Sequence, residues 1–200
     1  MNTQHENFQL TGHPVDANIE VVAGWGNYLV PPDKIHSDLS KGFKVGFVGT
    51  SDGHRLNPGL GGGLTGIYAT DLTPESVLEA IKSHRVYATN GNRMLIDARA
   101  NGVFMGQDLQ SNGVVELHLH IEAPRPLISV TLIRDDVKIH TISGNGQTIL
   151  DEMYTDKPGT GFHWYYWEIQ QEGEWPDYPG NMKVAEGNSG WSSPHRVIIQ

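Results

Sequence analysis

"KVGFVGTSDGHRLNPG", residues 44–59, poses a choice between a metal site at a strand end and a capped turn. Residues 44–49 are mostly apolar, as in a strand covered on both faces. The run then breaks into polar, glycine-rich sequence, with Asp52 and His54 two residues apart at the break. In extended backbone, residues i and i+2 point the same way, so a carboxylate and an imidazole at one strand end can meet one ion. Such oxygen and nitrogen donors suit Zn²⁺, Mn²⁺ or Fe²⁺. The plainer alternative is an Asx turn at Asp52 and a solvated His54.

Upstream, "NIEVVAGWG" (18–26) has a β-branched run that predicts a strand over about 19–24. "PPDKIHSDLSKG" (31–42) opens on proline and closes on glycine, the asymmetry of a short helix. Residues 51–66 read as a long loop. "DLTPESVLEAIKSHR" (71–85) predicts a helix, with Thr73 as N-cap, Pro74 first, and Val77, Leu78 and Ile81 as its buried stripe. "VYAT" (86–89) predicts the next strand. Strands alternating with helices imply an α/β unit with parallel neighbours.

The pattern changes after "NGNR" (90–93). "MLIDARA" and "VFMG" flank Asn101-Gly102, and "PLISVTLIR" and "VKIHTIS" flank Asp135-Asp136, two hairpin signals. "VVELHLHIEA" (114–123) alternates, placing Val115, Leu117, Leu119 and Ile121 on one face. With "GFHWYYWEIQQ" (161–171) and "HRVIIQ" (195–200), these runs predict a β-sandwich. The expected division is an α/β part over 1–92 and a sandwich over 93–200.

Composition narrows the function classes. The 200 residues carry a net charge of −9 with no dense Lys/Arg run, which argues against non-specific binding of nucleic acid or anionic membranes. No apolar run approaches the roughly 20 residues of a membrane span, and the polar start lacks a signal-peptide core. Cysteine is absent, which removes disulfides and Cys-ligated zinc; the compartment cannot be read from that.

Other residues carry possible chemistry. His13 precedes the first strand, Pro14 biases it towards extended backbone, and Glu20 lies within that strand; His5 is a rival upstream donor. "GGGLTG" (61–66) fits the dinucleotide-binding glycine pattern in letters only, because no strand leads directly into it and no helix follows; a turn or flexible lid is the expectation. His118 and His120 form an H-x-H pair, read as the solvated face of an alternating strand. Trp164 to Trp167 offer either a sugar platform or, since neighbours on a strand face opposite ways, two buried faces.

"GFKVGFVGTSDGH", "GLTGIYATDLTPESVLEAIKSHRVYATNG", "ANGVFMG" and "WSSPHRV" together resemble the polymerase-and-histidinol-phosphatase (PHP) superfamily of metal-dependent hydrolases, in its carbaryl-hydrolase-like branch. The resemblance implies the last strands of a distorted (β/α)7 barrel followed by an immunoglobulin-like sandwich. It maps the family's Asp-x-His ligands onto Asp52 and His54, an upstream ligand onto His13 or His5, and a supporting role onto Glu20. Bound Zn, Mn or Fe ions would activate water against a small phosphoester or related ester. The family's opening His-x-His strand has no counterpart here, so a C-terminal portion is expected, completed by a missing N-terminal segment or by self-association. The alternative function is a non-catalytic binding module whose sandwich recognises glycan or a protein partner.

Overall fold

The computed structural model describes residue 13 and residues 16–24, 26–29, 34–52, 59, 62–173 and 188–200. Strand β1 (Asn18–Ala23) turns back antiparallel into the short β2 (Gly26–Asn27). Helix α1 (Lys34–Ser40) ends where Gly42 adopts φ +86°, a left-handed conformation that favours glycine. Strand β3 (Gly46–Gly49) then pairs parallel with β1, giving a three-stranded sheet in the order β2-β1-β3. Strand β4 (Leu64–Ile67), helix α2 (Pro74–Lys82) and strand β5 (Val86–Thr89) follow. Thr73 caps α2, its hydroxyl accepting from the Ser76 amide at 3.3 Å.

The rest of the described chain is strand-rich. It runs through β6 (Leu95–Ala100), β7 (Val103–Phe104), β8 (Asp108–Ser111), β9 (Val115–Glu122) and β10 (Leu127–Arg134). It continues with β11 (Val137–Ser143), β12 (Ile149–Asp156), β13 (Gly161–Gln171), β14 (Asn188–Ser192) and β15 (His195–Ile199). The β6–β7 turn holds Asn101 at φ +48° and Gly102 at +76°, and the β10–β11 turn holds Asp135 at +49° and Asp136 at +69°. Two successive positive φ values match strand twist in a two-residue hairpin, so both hairpins stand as their turn residues predict.

These strands form two facing sheets. A four-stranded sheet, β12-β9-β6-β7, covers an eight-stranded one, β11-β10-β13-β14-β5-β4, with β15 between β13 and β8. Ile96, Ala98, Leu117, Leu119 and Ile121 meet Val130, Leu132, Tyr165, Trp167 and Ile169 in the core between them. The other face of the large sheet presents Ala88, Ile133, Trp164, Tyr166 and Trp191 to Val22, Phe47, Ile35 and Leu39 of β1, β3 and α1. The large sheet is therefore the middle of three layers. Strand β13, covered on both sides, reads as an unbroken aromatic run for that reason.

This arrangement corrects the expected fold class. A barrel needs β5 beside a parallel strand, but β5 is antiparallel to β4 on one edge and to β14 on the other. Part of the segment read as loop supplies β4, so α2 links antiparallel neighbours instead of making a parallel crossover. The pair β1–β3 is parallel, yet no barrel closes among the described residues. Nor does a separate immunoglobulin-like sandwich follow a barrel, because the large sheet takes in β4 and β5. The stripe predicted for α2 is also only partly covered: Ala80 is its buried residue and Leu78 is 50% exposed. No described helix is long and apolar enough to cross a membrane.

Buried polar side chains join the layers. Ser193 Oγ accepts from the Phe47 amide at 2.8 Å and donates to the Val86 carbonyl at 2.5 Å, tying β3 to β5. Ser192 Oγ accepts from the Trp167 amide at 2.9 Å. Asn90 Oδ1 accepts from the Ser189 amide at 2.9 Å and from Asn92 Nδ2 at 3.0 Å, while Asn92 Nδ2 also reaches the Ser189 carbonyl at 2.9 Å. "WSSP" and "TNGN" thus satisfy backbone groups that would be orphaned where strands change partners.

Candidate functional site

The carboxyl ends of β1 and β3 gather part of the residue set that the sequence singles out. Thr50 N donates to the Val22 carbonyl at 3.0 Å, Gly24 N to that of Ser51 at 3.2 Å, and Gly63 N to that of Thr50 at 2.6 Å. The returning glycines pack here against backbone: a Cβ on Gly63 would stand 2.6 Å from Thr50 N and 2.7 Å from Val22 O. Close approach, not phosphate binding, therefore accounts for this part of "GGGLTG". Thr50 Oγ1 donates to Glu20 Oε1 on β1. The Tyr28 phenol is pushed up to about 12, first by burial and then by the Glu20 and Asp52 carboxylates. A phenol with that pKa is protonated at neutral pH and so carries a proton it can donate.

Asp52 is exposed and takes φ +41°. The premise that i and i+2 share a side requires extended backbone, and at Asp52 the chain has left it. His13 is exposed, and its carbonyl accepts from the Asp16 amide at 2.8 Å. His5 and His54 lie outside the described residues. Glu20 and Asp52 therefore share an influence on Tyr28, while no three His, Asp or Glu side chains among the described residues are grouped to hold a metal ion.

The other histidines have structural settings. His120 bonds Asp151 at 2.8 Å across β9–β12 and Glu122 at 3.3 Å, and the Asp151 bond holds its pKa above the usual value. His118 faces the same way, with Nε2 at 3.9 Å from Asp151. His195 is wholly buried, neither ring nitrogen is hydrogen-bonded among the described residues, and burial pushes its pKa down to about 3. The sugar platform is absent: Trp164, Tyr165, Tyr166 and Trp167 are exposed by 1%, 0%, 2% and 0%.

A site that sequence reasoning missed lies at the mouth of the sandwich. An open recess of about 240 Å³ sits between the β4–β5 end of the large sheet and the start of β6, lined by Leu64, Gly66, Tyr87, Arg93, Met94 and Leu95 among others. Tyr87 donates to the Met94 carbonyl at 2.9 Å, and its ring lies against Gly66, where an added Cβ would stand 2.0 Å from Cζ. Tyr68 donates to the Ile96 carbonyl at 3.0 Å. Thr89 Oγ1 donates to the Asn92 carbonyl at 2.6 Å, and Asn92 Oδ1 accepts from the Met94 amide at 3.2 Å. The lining is thus fixed by hydrogen bonds behind it. Arg93, exposed at this recess, makes no hydrogen bond or ion pair among the described residues, whereas Arg85, Arg99, Arg134 and Arg196 each have a carboxylate. Its sequence signal was slight: one arginine after "NGN", where only a boundary was read.

Comparison with known proteins places these features in context. Residues 57–125 match a family model described as a protein of unknown function, DUF3604. Uncharacterized proteins of Chlamydia trachomatis serovar D and Chlamydia muridarum are each 24% identical to this chain, over 82% of it and 28% of their own length. The chain therefore spans about 28% of the length of the curated relatives it matches. The CARDB domain of a Pyrococcus furiosus protein, crystallised in complex with di-metal ions, overlaps 55% of this chain and 96% of that one at 12% identity and a TM-score of 0.31. None of these findings points to a PHP superfamily member. The match to DUF3604 and the pairing of β5, antiparallel on both edges, overturn that resemblance, and the metal-dependent hydrolase reading falls with it.

Proposed function

We propose that this chain is a non-catalytic recognition module whose partner is a protein. The observation that carries the reading is the open recess at the sandwich mouth, apolar in most of its lining and rimmed by an arginine without a counter-ion among the described residues. Concave, mostly apolar sites with a few polar groups are where partners seat. The two partner classes expected from the sequence separate on one fact: the aromatic run that would stack a sugar ring is inside the protein. Protein recognition also suits relatives that are much longer than this chain, in which such a module would act beside other segments.

A paired screen tests this. The protein is offered to a random-peptide display library and to a glycan array, and bound residues are mapped by amide chemical-shift changes. The expected result is peptide binding with changes at Leu64–Gly66 and Met94, and no glycan binding. Glycan binding with no peptide selected overturns the proposal.

A further inference from the structure

The recess adjoins an edge of the large sheet. Strand β4 ends the strand order, and among the described residues the backbone of Leu64–Ile67 pairs only with β5. An unpaired strand edge is a template for an incoming extended segment. The faces are set by register: Leu64 lies opposite Thr89 and Gly66 opposite Tyr87, whose ring belongs to the core between the sheets. A strand added to β4 would therefore hold alternate side chains on the recess side. Over Gly66 it would meet the ring of Tyr87, which lies against that glycine, and the recess lined by Tyr87 and Met94 would be open to it.

We infer that β4 is a strand-addition site for an extended peptide that carries an apolar side chain, seated in the recess, and an acidic side chain two residues away, paired with Arg93. The inference rests on the recognition reading and names the partner's chemistry. The spacing follows from geometry, because residues i and i+2 of a strand share a face. The acidic choice follows from charge complementarity: Arg93 is exposed at the recess without a carboxylate among the described residues. A guanidinium binds a carboxylate with two parallel hydrogen bonds, which supplies register as well as attraction. Main-chain bonds to β4 supply affinity, and the recess selects the apolar residue.

The test uses a display library of Thr/Val-rich segments with a Leu-x-Glu core, its tightest member then titrated by calorimetry. Replacing Leu by Ser, or Glu by Gln, weakens binding about tenfold or more, equivalent to about 1.4 kcal/mol. Arg93→Glu does the same, and a Lys-for-Glu peptide recovers binding to that variant. Arg93 makes no bond among the described residues, so the variant keeps its fold, checked by its amide spectrum. N-methylation of the peptide amides on one edge abolishes binding, while on the other edge it is silent. Two outcomes overturn the inference and leave the recognition reading standing: binding with shift changes away from β4, or indifference to N-methylation on both edges. Concentration-dependent self-association through β4 also overturns it, since the occupant is then a second copy. Failure of the core library and of a fully random library removes both readings together.

Discussion

The hydroxyl of Ser193 donates to the carbonyl oxygen of Val86 at 2.5 Å, joining residues 107 positions apart in the chain. The Ser193 hydroxyl oxygen in turn accepts from the Phe47 amide at 2.8 Å. One small side chain thus completes the hydrogen bonding of two strands that do not pair with each other.

Ser193→Ala leaves a buried amide and a buried carbonyl without this partner. Each unsatisfied group costs roughly 1–3 kcal/mol. The expected outcome is a lower urea midpoint with an unchanged denaturant slope, because the surface exposed on unfolding is the same. A midpoint equal to that of the unmodified protein would show the bonds to be dispensable.

Gly63→Ala places a methyl group 2.6 Å from Thr50 N and 2.7 Å from Val22 O, both backbone atoms that cannot rotate aside. Overpacking of this kind costs about 1–3 kcal/mol or more. Gly159→Ala meets nothing within 4 Å and serves as the neutral control. Thermal unfolding of the two variants side by side should show a marked loss for the first alone.

Acidification should destabilise the protein through its buried histidines. His195 is pushed down to about 3 by burial, and His84 to about 4 by burial first and then by Lys44 and Arg196. Both folded-state values lie below the unfolded value of about 6.5. The stability these groups contribute is therefore full above about pH 6.5 and declines as pH falls towards 4 and 3. Half-buried His120 runs the other way, contributing below its unfolded value and losing that as pH rises through its raised one; a surface pair of this kind is worth only about 0–1 kcal/mol. Chemical denaturation between pH 8 and pH 4 should give a steep acid limb. His84→Asn, which tolerates the residue's φ of +56°, should flatten it.

Glu20→Gln should lower the pKa of Tyr28 from about 12 without returning it to an ordinary phenol, because burial is the larger cause and remains. Ultraviolet titration, with Tyr28→Phe subtracted to isolate the signal, reads this directly. No change would place Glu20 too far away to act on the phenol.

Much of the local structure was legible. The hairpins at Asn101-Gly102 and Asp135-Asp136, the Thr73 cap and the alternation of β9 are written in residues that act over short range. What the sequence could not give was which strand β5 would join. "VYAT" suits a buried strand of either direction, and its partners, β4 and β14, come from a glycine-rich stretch and from 100 residues downstream. The site was harder still. Glu20 and Asp52 reach one tyrosine, but the recess is assembled from β4, β5 and residues 92–95, and no contiguous pattern encodes it. Arg93 stands out only once it is seen in space at the recess with no carboxylate beside it among the described residues.

The middle position of the large sheet has a consequence for how the chain acquires its shape. The hydrophobic layer beneath β1, β3 and α1 is completed by Trp164, Tyr166 and Trp191, so early-synthesised segments wait for late ones. Contacts of such long sequence separation slow folding. On the ribosome, β1 and β3 would emerge without their floor, and that layer would close only once β14, which carries Trp191, had been made.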